Sequence, residues 1–378
     1  MRIIRVSDVN KRRICHITTV HHPMDTRIFL RECISLSEKY NVVLFAPAPA
    51  INSLETEHRI LPFFTKLRWR LLFSHPVLIC KLLLSKKAAI YHLHDPELLP
   101  LSLLLHFFRC KVIYDIHELT DKDILNKNIP FKKLFSSIYL RLLKLSAHKI
   151  SFILAEKSYT DHYHNLLEKY TVLLNYPDEN SINSYASTNR HAKKLFYIGN
   201  LTGNRGMLQM IRLLDLLKTK NDEFHLICVG RIDRYLKKYL KSVPQYSNVK
   251  DQIHFKNYLL LTEAIKYSTD CLAGMALYDD LPNHRDSLST KMLEYMSVGL
   301  PVITSDFPLY RNIIEENSCG FCIDPDNTEK LSEAILELYN KPKLAQEMAQ
   351  NGINAINRNY NWESEKIKLF EIYKNLIV

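Results

Sequence analysis

Short apolar runs alternate along this chain with longer stretches in which apolar residues return every three or four positions, and the whole pattern occurs twice. Residues 13–19, 41–46, 88–95, 111–118, 149–154 and 171–175 read as strands. Between the first two lies a helix over about 25–39, with Ile28, Phe29, Cys33, Ile34 and Leu36 at core spacing. Asn175-Tyr176-Pro177-Asp178 reads as a turn into a polar linker that runs to about Lys194. The alternation then restarts with strands at 195–200, 224–230, 252–255, 271–277 and 300–304. A helix follows the first of these, carrying Met207, Met210, Ile211, Leu214 and Leu217 on one side. Helices at about 328–340 and 343–358 precede a terminal amphipathic helix bearing Ile367, Leu369, Phe370, Tyr373 and Leu376. The class is therefore α/β in two domains, 1–178 and 195–358, with residues 359–378 as an added terminal helix. A length of 378 residues suits two domains, each able to bury a core. Residues 50–75 fit neither period cleanly.

Composition adds little until charge is mapped. Hydrophobic residues at 47% and charged residues at 24% describe an ordinary globular protein, and no apolar run is long enough to span a bilayer. The first eight residues lack the long apolar core of a signal peptide. The eight cysteines are scattered through apolar runs, which fits reduced, buried thiols in a cytoplasmic protein. Cys319-Gly320-Phe321-Cys322 has no second ligand pair at zinc spacing, and reads as two packing residues around a turn. The net charge of +11 is uneven. Arg59, Lys66, Arg68, Arg70, Lys81, Lys86 and Lys87 fall in a stretch to His94 with no acid, and Lys127, Lys132, Lys133, Arg141, Lys144 and Lys149 in another, 124–155. Both interleave charge with Leu, Ile, Phe and Trp69, a pattern that suits an anionic membrane surface, with a solvated basic face as the plain alternative. No zinc-finger or RNA-recognition signature accompanies it, so nucleic acid is not an expected partner.

Polar residues collect where the strands end. The strands at 88–95 and 111–118 close in His94-Asp95 and His117-Glu118, at the edge where open α/β sheets place ligands. Two strands each delivering a histidine and a carboxylate point to substrate binding or catalysis, with a metal site and simple strand-end capping as alternatives. Near the first strand, Asp25 and Arg27 stand at a helix start, where they face substrate or merely cap and pair. In the second half, Asn283-His284-Arg285-Asp286-Ser287-Leu288-Ser289-Thr290-Lys291 enters a short helix that ends at Gly299. Ser289 is a good cap type, Gly299 can adopt the left-handed conformation that stops a helix, and the open N–H groups at the helix start suit an anion. About one turn in, Glu294 can accept hydrogen bonds from sugar hydroxyls.

Loop, helix and Gly299-Leu300-Pro301-Val302-Ile303 together resemble the donor-binding segment of family-4 retaining glycosyltransferases of the GT-B fold. The resemblance implies two Rossmann-like domains facing a cleft, the first binding the acceptor and the second a nucleotide-sugar, with the terminal helix crossing back to the first. Glu294 matches the family's ribose-binding acid, and Asp286 stands where the earlier Glu usually does, followed by Ser287-Leu288-Ser289 in place of Pro-Phe-Gly. Arg205-Gly206 matches a basic residue and glycine that bind the donor diphosphate. Asn200, after Gly199, occupies the position of a second cation, for which Arg231, next to Gly230, is a substitute. Ser289, Thr290 and Lys291 would take phosphate, and Asn283, His284 and Asp286 the sugar. His22-Pro23-Met24-Asp25-Thr26-Arg27-Ile28-Phe29 looks like the opening of a sugar-transferase subgroup, which sets Asp25 and Arg27 on the acceptor side. The implied activity is hexosyl transfer with retention, from a nucleotide-diphosphate sugar to a glycan or lipid-linked acceptor in surface polysaccharide synthesis. The protein would work without metal or other cofactor, peripheral on the inner face of the cytoplasmic membrane. A nucleotide-sugar 2-epimerase of the same architecture and a basic nucleic-acid-binding protein are the other readings.

Overall fold

The computed structural model of the chain describes residues 11–47, 56–126, 129–178, 182, 185–188, 190–220 and 223–377, without the side chains of Pro282 and Asn283. The basic leader, Lys127 and the Asn283 side chain thus lie outside the described residues. Two compact units result: Met1–Asn175 with Glu363–Val378, and Tyr176–Trp362.

The first unit is built on seven strands: β1 (Arg13–Ile17), β2 (Asn41–Pro47), β3 (Thr56–Leu61), β4 (Ile90–Leu93), β5 (Lys111–Ile116), β6 (Ser151–Leu154) and β7 (Tyr170–Val172). All pair in parallel, in the order β3-β2-β1-β4-β5-β6-β7. The second holds β8 (Lys194–Ile198), β9 (His225–Val229), β10 (Ile253–Lys256), β11 (Ala273–Ala276), β12 (Val302–Ser305) and β13 (Gly320–Ile323), again parallel, in the order β10-β9-β8-β11-β12-β13. Both orders reverse direction beside their first strand, at β1/β4 and at β8/β11. Loops at the carboxyl ends of strands diverge there, so each unit has one natural crevice for a ligand. The α/β class and the two parallel sheets agree with the expectation from sequence.

Two strands escape the sequence pattern. In β3, Thr56–Leu61, only the terminal residues are buried, so an edge position leaves the strand too polar to show a period. The Cys319–Cys322 segment is not a turn. Gly320 opens β13, where an added Cβ would lie 2.0 Å from the Val302 carbonyl oxygen, and its role is close strand approach. All eight cysteines are free thiols.

The helices cover both faces of each sheet. In the second unit α1 (Met207–Thr219) and α2 (Thr328–Asn340) seal one face through Met210, Leu214, Leu331 and Ile335, while α3 (Thr290–Ser297) buries Met292, Leu293 and Met296 in the opposite core. Within α3, Tyr295 lies against Gly274 and Phe196, and its hydroxyl accepts from the Ile198 N–H (3.0 Å) and donates to the Met275 carbonyl (3.2 Å). That ties the helix to β8 and β11 on either side of the reversal. Gly299, with φ of 64°, ends the helix. In the first unit the terminal helix α4 (Trp362–Ile377) buries Leu369 and Tyr373, and Glu365 accepts from the Leu174 N–H at 2.8 Å.

The tightest constraint is at the ends of β8 and β9. Gly230 has φ of 149°, and a Cβ there would sit 1.9 Å from the Gly199 carbonyl oxygen. We expect Gly230→Ala to cost the second unit about 2–4 kcal/mol, from strain and overpacking together. Urea titration of the two proteins measures it, and a loss below about 0.5 kcal/mol would mean that the two loops separate at little cost.

Candidate functional site

In the second unit the loops after β8, β9 and β11 and the start of α3 converge. The Gly199 N–H bonds the Val229 carbonyl at 2.9 Å, and Gly230 lies beneath it, so bare backbone lines the approach. Arg205 ends a single tight turn, Gly203–Arg205, and Gly206 (φ 76°) packs on Leu277, where a Cβ would meet that residue's own at 2.5 Å. The Arg205 side chain makes no hydrogen bond or ion pair among the described residues.

Lys291 is the telling group. Only 6% exposed, its ammonium lies 3.9 Å above the Tyr197 ring and 5.1 Å from that of Tyr278. Its Nζ has no hydrogen-bond partner, and it faces Gly199, where an added Cβ would approach it to 3.5 Å. Burial, and then the positive charge of Arg205, depress its pKa well below the ordinary lysine value, with Glu294 opposing. Two cations and one buried carboxylate thus share the mouth of the β8/β11 crevice.

The other candidates divide. Ser289 is the cap residue of α3, but its hydroxyl bonds the Tyr278 hydroxyl at 2.6 Å and not the helix, so the first N–H groups of α3 are left uncapped by it. Thr290 begins the helix, and Glu294 is buried one turn later. His284 bonds the Asp279 carbonyl through Nδ1 (2.9 Å) and lies by Tyr278. Tyr310 donates to the carbonyls of His284 and Ser287, fixing the entry loop. Asp286 and Asn200 are exposed. Arg231, the substitute considered for the second cation, is exposed and stacks on Tyr258 at 5.0 Å, whereas Lys291, read from sequence only as a phosphate ligand, is the cation that feels the charge of Arg205.

In the first unit the ends of β1, β4 and β5 gather a polar cluster. Asp95 is fully buried and accepts from the Thr19 N–H, from the Thr18 and Thr19 hydroxyls (3.0 and 3.1 Å), and pairs with His21 Nδ1 at 2.9 Å. Burial opposes its ionisation, but the hydrogen bond and charge of His21 outweigh it and hold the carboxyl well below its usual range. For His21 burial likewise works against the charge, and Asp95 overcomes it, raising the imidazole to about 9. His94 is the opposite case. Burial dominates and lowers it to about 4, despite its hydrogen bond with Asp115. His117, 15% exposed, contacts Asp115 at 3.0 Å and His94 at 3.2 Å. Glu118 is exposed beside it.

Asp25 and Arg27 face inward. Asp25 accepts from the N–H groups of Arg27 and Ile28 and caps the helix Thr26–Cys33. The Arg27 guanidinium makes a two-point pair with Asp115 (2.9 and 3.0 Å) and holds the Leu173 carbonyl and the Asn175 side chain. Both residues therefore brace the cluster. The groups that sequence reasoning passes over are Thr18, Thr19, His21 and Asp115 here, and Tyr197 and Tyr278 in the second unit. Asp115 looks like an ordinary strand residue, two positions before the conspicuous His117, and nothing in its neighbours betrays a buried partner.

Residues 182–355 match the family described as glycosyl transferases group 1. That is most of the second unit and a little under half of the chain. The second unit is a glycosyltransferase group 1 domain. Among curated relatives, the capsular polysaccharide biosynthesis glycosyltransferase CapM of Staphylococcus aureus is 21% identical over 181 residues, 44% of this chain and 43% of CapM. The chain spans about half the length of the curated relatives it matches. The GT-B fold extends over nearly all of it. Sucrose-phosphate synthase of Thermosynechococcus elongatus superposes with a TM-score of 0.74 at 14% identity, covering 97% of this chain and 99% of that one. HepE of Anabaena, solved with UDP-glucose, gives 0.70 at 12% identity, covering 96% and 99%.

The His21–Asp95 pair makes a signed prediction. A folded-state pKa raised to about 9, above the ordinary 6.5, adds stability that is complete below pH 6.5 and is lost as pH rises through 9. The difference in unfolding free energy between the native protein and His21→Asn should therefore shrink from pH 6 to pH 10, read by urea titration at each pH. A difference that stays constant or grows would contradict the pairing.

Proposed function

We propose that the protein transfers a hexosyl group from a nucleotide-diphosphate sugar, with retention, to a glycan or lipid-linked acceptor in surface polysaccharide synthesis, as a family-4 enzyme. The observation that carries this is Lys291. An ammonium held out of water costs several kcal/mol, of order 2–5 after relaxation, unless an anion repays it. Within its own unit it has aromatic faces, a carboxylate in its field, and a second cation, Arg205, close enough to lower its pKa. Such a pair beside the open end of a helix and two glycine loops suits a diphosphate, whose negative charge grows as the sugar leaves. On this reading Arg205, Lys291 and the first turn of α3 (Ser289, Thr290) take the phosphates. Glu294 binds the ribose, and His284, Asp286 and Asn283 address the sugar. The glycines at 199, 206 and 230 admit the nucleotide, with Asn200 and Arg231 at its edge. In support, HepE, of the same fold, was solved with UDP-glucose, and CapM carries a capsular polysaccharide name.

The first unit is assigned the acceptor. Charged His21 and neutral His94 have pKa values pushed apart, the arrangement by which one site offers both a proton donor and a proton acceptor. His117 and Glu118 stand at the exposed rim, Asp95 sets His21, and Asp25 and Arg27 hold the scaffold. No metal is invoked for the transfer itself. The epimerase and nucleic-acid readings gain no observation of their own.

Peripheral attachment to an anionic inner leaflet completes the proposal. Among the described residues no helix is long and apolar enough to cross a membrane. The helix Lys132–Ser146 exposes Leu134, Phe135, Ile138 and Leu145 beside Lys132, Lys133, Arg141 and Lys144, and its neighbour Leu99–Phe107 exposes Leu104 and Phe107. Trp69, Leu71, Leu72 and Phe73 are exposed beside Arg68. A surface that meets only water seldom carries so much apolar area next to like charge.

Lys291→Met separates binding from folding. Removing an unpaired buried charge should raise the midpoint of thermal unfolding without ligand by about 2–4 °C. The same change should weaken UDP or GDP, whichever binds the native protein, by about 10- to 100-fold, the loss of one charge-assisted hydrogen bond. Unaltered nucleotide affinity in isothermal titration would remove the diphosphate assignment. For the surface, we expect co-sedimentation with phosphatidylglycerol vesicles that weakens as salt rises and falls further in Phe135→Glu/Ile138→Glu. Absence of vesicle binding at low salt would end the membrane claim.

A further inference from the structure

Behind the rim of the first unit lies a second constellation, which shares only His94 with the groups assigned to the transfer. Strand β1 contributes His16, β4 contributes His92, the residue after β4 is His94, and the helix Thr26–Cys33 contributes Glu32. All four are buried, with exposures of 0–2%. One potential ligand atom from each lies within 4.8 Å of all the others.

We propose that His16, Glu32, His92 and His94 form a closed binding site for a single zinc ion inside the first unit. Zinc with ligands at about 2.0–2.1 Å in tetrahedral array sets its donor atoms about 3.3 Å apart. The separations here bracket that value. His16 Nδ1 is 2.9 Å from His94 Nε2, Glu32 Oε2 is 3.9 Å from His16 Nδ1, and the same oxygen is 3.7 Å from His92 Nδ1, which bonds the Tyr373 hydroxyl at 2.8 Å and would exchange that contact for the ion. Oε2 receives no hydrogen bond within the described structure, although it is fully buried. A carboxylate oxygen surrounded by imidazoles and lacking a donor is poorly solvated without an ion, and well placed to ligate one.

The surroundings supply the outer contacts that ligating groups need. His94 turns its other nitrogen, Nδ1, toward His117 Nε2 at 3.2 Å and the Asp115 carboxylate at 3.6 Å, which fix the ring from the far side. His16 bonds the Tyr373 hydroxyl through Nε2 at 3.0 Å, which orients its Nδ1 inward. Arg27 Nε, bonded to Asp115, lies 3.2 Å from the other oxygen of Glu32 and places positive charge beside it. Three imidazoles and one carboxylate suit zinc better than magnesium or calcium, which prefer oxygen alone. With four protein ligands and no open position, the ion would be structural, joining β1, β4 and the first helix and, through Tyr373, the terminal helix. The inference is independent of the nucleotide site in the second unit, which a buried ion here neither requires nor excludes. An ion on His94 would, however, take that ring out of the proton-acceptor role and leave its exposed neighbour His117 at the rim.

The test uses the full-length, tag-free protein, loaded with zinc, dialysed against a weak chelator, and measured by plasma mass spectrometry. The expected result is close to one zinc per chain in the native protein and in His148→Ala, a surface control, falling at least fivefold in Glu32→Gln and in His92→Asn. Because those variants remove buried groups, cobalt(II) loading of the native protein is read alongside them. The strong visible bands of a four-coordinate cobalt–imidazole centre are expected, together with a raised thermal midpoint. Retention of less than a tenth of an equivalent by the native protein, or no such bands, would overturn the site. Zinc retained equally by folded Glu32→Gln and His92→Asn would place the ion elsewhere, and would overturn it as well.

Discussion

An ammonium group buried without a counter-ion organises the second unit. Lys291 has no hydrogen-bond partner, and the positive charge of Arg205 makes its burial harder. Stability alone would not select that arrangement, since a methionine of similar length would fill the same volume without the desolvation cost. What keeps the lysine in place is the aromatic floor, Tyr197 and Tyr278, whose ring faces attract a cation, and the geometry of α3, whose cap residue lies two positions before it. Tyr278 also occupies Ser289, the residue that would otherwise cap that helix. One tyrosine thus supports the cation and keeps the cap side chain off the helix N–H groups. The same few contacts leave an electropositive, under-satisfied corner at the sheet's reversal point, where an anionic ligand, on the proposed reading, would restore what folding gave up.

The first unit solves its electrostatics differently. Its charges are paired internally: Asp95 with His21, and Asp115 with Arg27. Each of these two buried carboxylates is met by a cation and by further hydrogen bonds, the condition under which buried ions are tolerated. Because both are paired, the side chains at the ends of β1, β4 and β5 are fixed before any substrate arrives. Pre-set geometry of that kind favours orienting an acceptor over gripping it by charge.

Much of this is legible in the sequence, for a physical reason. Strands buried on both faces must be apolar on successive residues, and the runs that form β1, β2, β4, β5, β6, β8, β9, β11 and β12 are largely of that kind. β3 is hidden because an edge strand owes its place to one neighbour and needs little hydrophobicity. At Gly320 the glycine suggests a turn, when the position calls for the absence of a side chain next to a carbonyl. Among site residues, those with a local signature stand out: Arg205-Gly206 before a helix, Glu294 one turn into another, histidines closing two strands. Lys291 reads from sequence as one phosphate ligand among several, but its isolation cannot be read, since that depends on Tyr197 and Tyr278, distant in sequence. Asn200 and Arg231 are singled out by position in the chain, yet both are exposed, and Arg231 is spent on Tyr258. Long-range pairs such as Arg27 with Asp115, 88 residues apart, leave no trace in a single sequence.

The histidines show how far environment, and not residue type, decides chemistry. His21 and His94 both stand at strand ends beside Asp95 and Asp115, within one cluster. Yet one is raised to about 9 and the other lowered to about 4. The difference follows from what opposes burial at each ring. Asp95 has His21 as its hydrogen-bonded cationic partner, so its charge is spent on that ring. At His94 burial outweighs the hydrogen bond and charge of Asp115, and the neighbouring ring of His117 lowers it further. A protonated imidazole and a neutral one are therefore maintained in one cluster at neutral pH by the balance of burial against carboxylate contact. Arg27, which the family resemblance sets on the acceptor side, braces Asp115 from behind the cluster.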